Sequence, residues 1–265
     1  MRIFLKKTSL AIWALVAFWF LCIGVTAGSA GEFLPVDFPF RPGEKLIYKL
    51  RWGIFTAGEA ELEVLPFTEI DGERVWHFRM SAHTTEFIDV FYKVRDRIES
   101  FTDLALANSM LYNKKQREGS IKRDVVVRFN QAARTAVYSN RGETLEPIKI
   151  DDGTLDPLAS LYYIRTRPLA ENSQIVRSVT DGKKLVDGMA LVVKRETVEI
   201  EGAEYNTFLV EPDLKDARGV FEKSSDSKLK LWITDDDRRL LVKMESKVVV
   251  GSFNATLVKV IRPEG

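Results

Sequence analysis

Apolar and polar residues alternate along most of this chain. From Lys45 to Trp52, Leu46, Tyr48, Leu50 and Trp52 share one parity, while Lys45, Lys49 and Arg51 hold the other. Ala60, Leu62 and Val64 alternate with Glu59, Glu61 and Glu63; Trp76, Phe78, Met80 and Ala82 alternate with His77, Arg79, Ser81 and His83. Successive side chains of a strand point to opposite faces, so each run predicts a strand with one dry and one wet side. Antiparallel sheets with one solvated face carry this pattern.

Further strands are predicted at about 92–102, 108–118, 121–130, 133–140, 175–181, 184–200, 204–212, 227–234, 239–250 and 253–261. Turn residues separate them, among them Asp71-Gly72, Gly119-Ser120, Asn140-Arg141-Gly142, Asp181-Gly182, Glu201-Gly202 and Asp235–Asp237. One stretch departs from the pattern. Asp156 can cap a helix that starts at Pro157, where a missing amide costs nothing, and Leu158, Leu161, Tyr162 and Arg165 then fall on one face. This predicts a central amphipathic helix over about 156–166, ended before Pro168. A shorter helical turn is predicted near Glu86–Phe91. The fold class expected is mainly β: an antiparallel, strongly curved sheet or open β-barrel with that one helix.

The start of the chain reads differently. Arg2, Lys6 and Lys7 precede an apolar stretch from Leu10 to Val25, followed by small residues at Thr26–Ala30. Basic, apolar, then small is the order of a secretory signal, with cleavage expected after Ala30. The competing expectation is an uncleaved anchor, since the apolar stretch approaches the roughly 20 residues that cross a bilayer. Removing residues 1–30 leaves 235 residues with no cysteine and a net charge of −2. Stability outside the cytoplasm then rests on a core and not on disulfides. Near-neutral charge offers no footprint for nucleic acid. The remainder is expected to be one β-rich domain, 31–265, with two packed halves at 31–150 and 170–265 as the alternative.

Candidate chemistry is sparse. The two histidines, His77 and His83, share the wet parity; at about 3.3 Å per residue they lie about 20 Å apart, too far to chelate one metal together. No nucleophile elbow, phosphate loop, dinucleotide fingerprint or zinc spacing is present. The acidic runs Asp151-Asp152 and Asp235–Asp237 fall at predicted turns and lack calcium-loop spacing. No cofactor and no metal is therefore expected. Asp96 is different: Tyr92, Val94 and Ile98 share its parity, so it points to the dry side, where a carboxyl needs a partner or a shifted pKa. It reads either as a buried ion-pair member or as the polar anchor of a ligand cavity. Trp52, Trp76, Phe78 and Tyr92 are the aromatic candidates for the cavity wall, within an apolar face that also holds Phe55, Phe91, Phe129 and Trp232. Around Gly119-Ser120, Lys114, Lys115, Arg117, Lys122 and Arg123 outweigh Glu118 and Asp124, a basic hairpin suited to anionic headgroups or an acidic partner, or simply to a solvated sheet edge.

Several segments together resemble a family of exported bacterial proteins named domain of unknown function 3108. They are Gly43–Tyr48, Trp52–Ala60, Val94–Ser100, Asp156–Tyr163, and Trp232–Asp236 with Arg238-Arg239 and Ser246-Lys247. The resemblance implies an exported, β-rich protein of the Gram-negative envelope, and it carries no known activity. The expectation is a non-enzymatic periplasmic protein binding a hydrophobic or lipid-like ligand in envelope maintenance. It would touch a membrane only through an uncleaved signal or a peripheral contact. Two alternatives stand beside it: an envelope scaffold that binds another protein, and a glycan hydrolase using paired carboxylates about 5–10 Å apart.

Overall fold

Each alternating run becomes a strand hydrogen-bonded to the next. The computed structural model describes residues 37–213, 229–247 and 252–263; the predicted signal segment, and the outer residues of the strands predicted at 227–234 and 239–250, lie outside these. Pro35–Gly265 forms one compact unit. The strands are β1 (Lys45–Trp52), β2 (Phe55–Ile70), β3 (Glu73–Thr84), β4 (Arg95–Thr102), β5 (Ser109–Glu118), β6 (Ile121–Asn130), β7 (Thr135–Asn140), β8 (Glu143–Thr144), β9 (Ile148–Lys149), β10 (Gln174–Thr180), β11 (Leu185–Ile200), β12 (Ala203–Asp213), β13 (Leu229–Thr234), β14 (Leu241–Lys247) and β15 (Ser252–Ile261). Two helices interrupt them, α1 (Glu86–Asp89) and α2 (Pro157–Arg165). Among the described residues no helix is long and apolar enough to cross a membrane.

The strands form a single antiparallel sheet in the order β10–β15, β1–β8, with β9 paired to β7. The join is β15 against β1, from Lys45↔Ile261 to Trp52↔Phe253. The sheet is mainly a meander and is not closed into a barrel. One edge is β10, and the other is made of the short strands beside β7. The β10 edge is partly covered by Leu155, whose amide donates to Ser178 O and whose carbonyl accepts from Thr180 N, which blunts it as a template for another strand. At Asp71-Gly72 and Glu201-Gly202 both central residues have positive φ, the geometry of two-residue hairpin loops whose twist matches the strands they join.

Helix α2 touches β3, β4 and β10, strands far apart in sheet order. The sheet therefore curls around the helix. Asp156 caps α2 with its carboxylate, accepting from the amides of Leu158 and Ala159 at 2.9 Å each. The same carboxylate accepts from Ser100 Oγ on β4 and Ser109 Oγ on β5, both at 2.6 Å. Asp156 is fully buried. Burial pushes its carboxyl above the usual range, against the four hydrogen bonds that favour the charged form.

One end of the curl is filled. Phe38 and Phe40 pack edge-on against Trp76, and Phe78 stacks on Tyr162 at 4.0 Å. There the α2 C-terminus is held by Arg165, buried and 2.7 Å from Glu44, which also pairs with Arg262 at 2.9 Å. Trp76 and Phe78, expected along a cavity wall, are thus core.

The outer face is not uniformly wet. Val75, Phe101 and Leu111 form a small apolar cluster there, with Met110 and Val126 against it. His77 stacks on Phe101 at 4.3 Å and bonds Glu99 at 3.2 Å, and burial lowers its pKa. The expectation of a solvated His77 is corrected for this reason; His83 is exposed. Trp232 points to the face opposite Leu231 and Ile233, where its indole donates to Glu196 at 2.9 Å. Replacing Asp156 by Ala removes the helix cap, worth about 0.5–2 kcal/mol, and strips two buried hydroxyls of their acceptor, about 1–3 kcal/mol. Urea unfolding should show a stability lowered by roughly 3 kcal/mol in total, seen as a lower midpoint with an unchanged slope, and Asp156→Asn, which keeps an acceptor, should lose less.

Candidate functional site: a cavity beneath the central helix

Among the described residues, the other end of the curl is not filled. Between α2 and strands β3–β5 and β10–β14 lies a cavity of about 470 Å³, within the roughly 300–1,000 Å³ range of small-molecule sites. Its wall is apolar. Leu161 and Ile164 descend from α2, Ile175 and Val186 face them from β10 and β11, and Leu231 closes the floor. Three of the five methionines of the chain, Met80, Met189 and Met244, line it as well. Their unbranched thioethers adapt to irregular shapes.

The polar lining gathers mainly on β4 and β5. Ile98 pairs with Lys114 and Val94 with Glu118, so Asp96, Lys114, Gln116 and Glu118 all point inward on neighbouring strands. Asp96 Oδ1 accepts from the Arg117 amide at 2.7 Å. Burial, and then the Glu118 carboxyl in hydrogen-bonding reach, push the Asp96 pKa up to about 6. Neighbouring carboxyls disfavour each other's ionisation, so Asp96 holds its proton to a higher pH than an ordinary carboxyl and gives it up near 6. Lys114 lines the cavity and forms no ion pair among the described residues. The Tyr92 hydroxyl also reaches Glu118. Its ring lies on Gly119, where a Cβ would come within 2.9 Å of a ring carbon.

The residues singled out in the sequence are therefore dispersed. Asp96 lines the cavity, and Tyr92 stands at its rim. Trp52 is half-exposed at the β1–β2 tip, stacked on Phe253 at 6.3 Å. The basic hairpin splits by parity: Lys114 turns inward, Arg117 grips Asp124 through two 2.9 Å bonds, Arg123 is half-buried, and Lys115 and Lys122 face solvent. Gln116 and Glu118 escaped notice as site residues. Continuing the parity of Tyr112 through 114, 116 and 118 places them on the inner face, and that was the available signal.

A second cleft, about 640 Å³, lies at the filled end and is lined by six arginines and three acids. Arg165 and Arg262 are paired with Glu44, Arg238 with Asp236, and Arg239 with Asp235. It suits no apolar ligand, and most of its charge is already matched. Among the described residues no group of three or more His, Cys, Asp or Glu side chains is placed to hold a metal.

Fold and cavity together define an open, curled β-sheet protein wrapped around one helix. The chain belongs to the family described as protein of unknown function (DUF3108), which matches residues 47–258. No curated protein matches it. Among solved structures it is similar to a beta-barrel-like protein of domain of unknown function DUF1849 from Brucella abortus, with 14% identity and a TM-score of 0.54 over 85% of this chain and 100% of that one. That likeness is one of fold alone. A structure from Parabacteroides distasonis ATCC 8503 aligns over 84% of this chain and 97% of its own at 9% identity, but its TM-score of 0.31 carries no argument.

The carboxyl pair gives a pH test with a definite sign. The Asp96 pKa is raised in the fold, so the protonated form is favoured there, and stability falls as pH rises from about 4 through about 6. Asp96→Asn, which keeps an acceptor for the Arg117 amide, should gain stability over the parent at pH 7.5 and show little gain at pH 4.5, read from urea midpoints. Carbon-detected NMR should find Asp96 titrating near 6, and Glu118→Gln should move that titration down.

Proposed function

We propose that this protein is an exported, non-enzymatic binder of a lipid-like amphiphile, acting in maintenance of the cell envelope. The observation that carries the reading is the sidedness of the cavity: walls from α2 and β10–β14 that are mainly apolar, broken by Arg177 and Asp213, with Asp96, Glu118, Gln116 and Lys114 gathered on β4–β5. An alkyl chain matches the walls, and a polar head matches the carboxyl pair and the ammonium. Acids (Asp96, Glu118, Asp213) and cations (Lys114, Arg177) both line the cavity. A zwitterionic head would find a partner for each of its charges. Export is supported by the order of basic, apolar and small residues over 1–30, and the periplasm is the compartment this order favours.

The hydrolase alternative is disfavoured by the same pair. Carboxyls in direct hydrogen-bonding reach lack the roughly 5–9.5 Å separation that glycoside hydrolysis needs. The scaffold alternative draws on the solvent-facing Lys115 and Lys122 and on the sheet edges, of which β10 is partly covered by Leu155.

Native mass spectrometry of the mature protein taken gently from the periplasm, followed by organic extraction, tests the reading. A stoichiometric amphiphile is the expected result. Leu161→Trp, which fills the cavity from the helix side, should weaken its retention by about tenfold or more, since overpacking typically costs ~1–3 kcal/mol. A clean apo mass that stays unchanged after incubation with envelope lipids would overturn the proposal.

A further inference from the structure

Large apolar side chains are usually scattered when exposed, and contiguous groups of them mark interaction sites. Here they gather at one end. Of the thirteen large apolar residues exposed among the described residues, eight lie on the β1–β2 tip, the start of β15 and the β3–β4 connection. Ile54 is 90% exposed, Val90 79%, Phe91 76% and Phe87 67%. Helix α1 buries no residue at all. Phe87 and Phe91 pack edge-on against each other, centroids 5.8 Å apart, and not into the core.

These loops are tied into one rim. The Thr85 amide donates to Ala57 O at 3.0 Å, joining the β3–β4 connection to the start of β2. The Gly119 amide donates to Lys93 O at 2.8 Å, joining that connection to the β5–β6 hairpin. The rim is basic as well as apolar. On the β5–β6 hairpin Lys115 and Lys122 face solvent, while Lys114 turns inward and Arg117 is paired with Asp124. Lys93 and Arg95 add two cations beside Asp89, and Glu86 is the exposed acid among them.

We infer that this rim docks on the surface of an anionic lipid bilayer. Apolar and aromatic tips flanked by Lys and Arg are how a peripheral protein seats itself at a headgroup boundary: the tips enter the acyl edge, and the cations face the lipid charge. Among the described residues the rim is built of connections between strands, while the unpaired edges of the sheet are β10 and the short strands beside β7. The carboxyl pair and Lys114 stand on β4 and β5 just behind the rim, so the docked end is also the end of the cavity that holds its polar groups. The inference does not depend on what the cavity binds, because a docked protein with an empty cavity would read the same.

The test uses residues 31–265 and vesicles of phosphatidylglycerol with phosphatidylethanolamine, compared with phosphatidylcholine vesicles. Co-sedimentation should favour the anionic vesicles and weaken as salt rises. Tryptophan emission should shift to the blue, because Trp52 is half-exposed at the rim while Trp76 and Trp232 are already buried, and Trp52→Phe should abolish the shift. Phe87→Ser with Phe91→Ser, and separately Ile54→Ser with Phe55→Ser, should each lower binding at least tenfold without changing the melting temperature. Lys115→Glu with Lys122→Glu should remove the preference for anionic vesicles. Absence of vesicle binding, binding that survives all three double variants, or loss of a protein partner in the same variants without any vesicle binding would each overturn the inference. None of these results bears on adduct retention in the Leu161→Trp comparison, so the two proposals fail separately.

Discussion

A carboxylate with no access to water holds this structure in register. Asp156 must be satisfied from within, and its partners come from three places: the first amides of α2, Ser100 on β4 and Ser109 on β5. Both hydroxyls must point inward for this to work, which sets the inner parity of β4, while a bulge at Met110, between Ser109 and Leu111, turns the even-numbered residues of β5 inward. That parity in turn carries Asp96 and Ile98 on β4, and Tyr112, Lys114, Gln116 and Glu118 on β5, to the concave side. The serine end of this row meets the helix N-terminus, while the acidic end meets nothing from the helix and so borders the cavity.

The cavity follows from the mismatch between a long sheet and a short helix. An antiparallel sheet this long twists and curls, and its inner face needs covering along its whole length. Nine helical residues span only about 13 Å at about 1.5 Å per residue. Residues 37–41 and their aromatics fill one end, and nothing comparable among the described residues fills the other. Space left there is mostly apolar along α2 and β10–β14, apart from Arg177 and Asp213, and polar along β4 and β5, because an amphipathic strand keeps its pattern whether or not a partner arrives.

Much of this was legible as alternation. The strand spans, the helix with its Asp156 cap and the short turn at α1 all follow from local rules of periodicity and capping. Parity also put Asp96 inside. What parity cannot say is whether the dry side of a strand is filled or hollow. Trp76 and Phe78 look the same in sequence as a cavity wall, and they became core because Phe40 and Tyr162, from distant parts of the chain, pack on them. Lys114 and Glu118 were read by charge as a solvated hairpin although their spacing from Tyr112 said otherwise. Composition outweighed geometry in that reading. His77 failed for the converse reason: Phe101, on the next strand, buries a face that its own strand marks as wet.

The helix is pinned at both ends, and that bears on what kind of selectivity the cavity has. Asp156 fixes its start; Arg165, bound to Glu44, fixes its finish. A buried ion pair adds little net stability, but breaking it leaves a charge without a partner, so the arrangement resists displacement. A ligand therefore cannot make room by pushing α2 aside. Room comes from side chains, and the walls carry three methionines that can re-pack at small cost. The polar end has no such freedom, since Asp96 is tied to a backbone amide of β5 and Glu118 to Asp96. On the proposed reading, a site built this way would tolerate differences in the length and branching of an apolar chain and be strict about the charge of the group that meets the carboxyl pair.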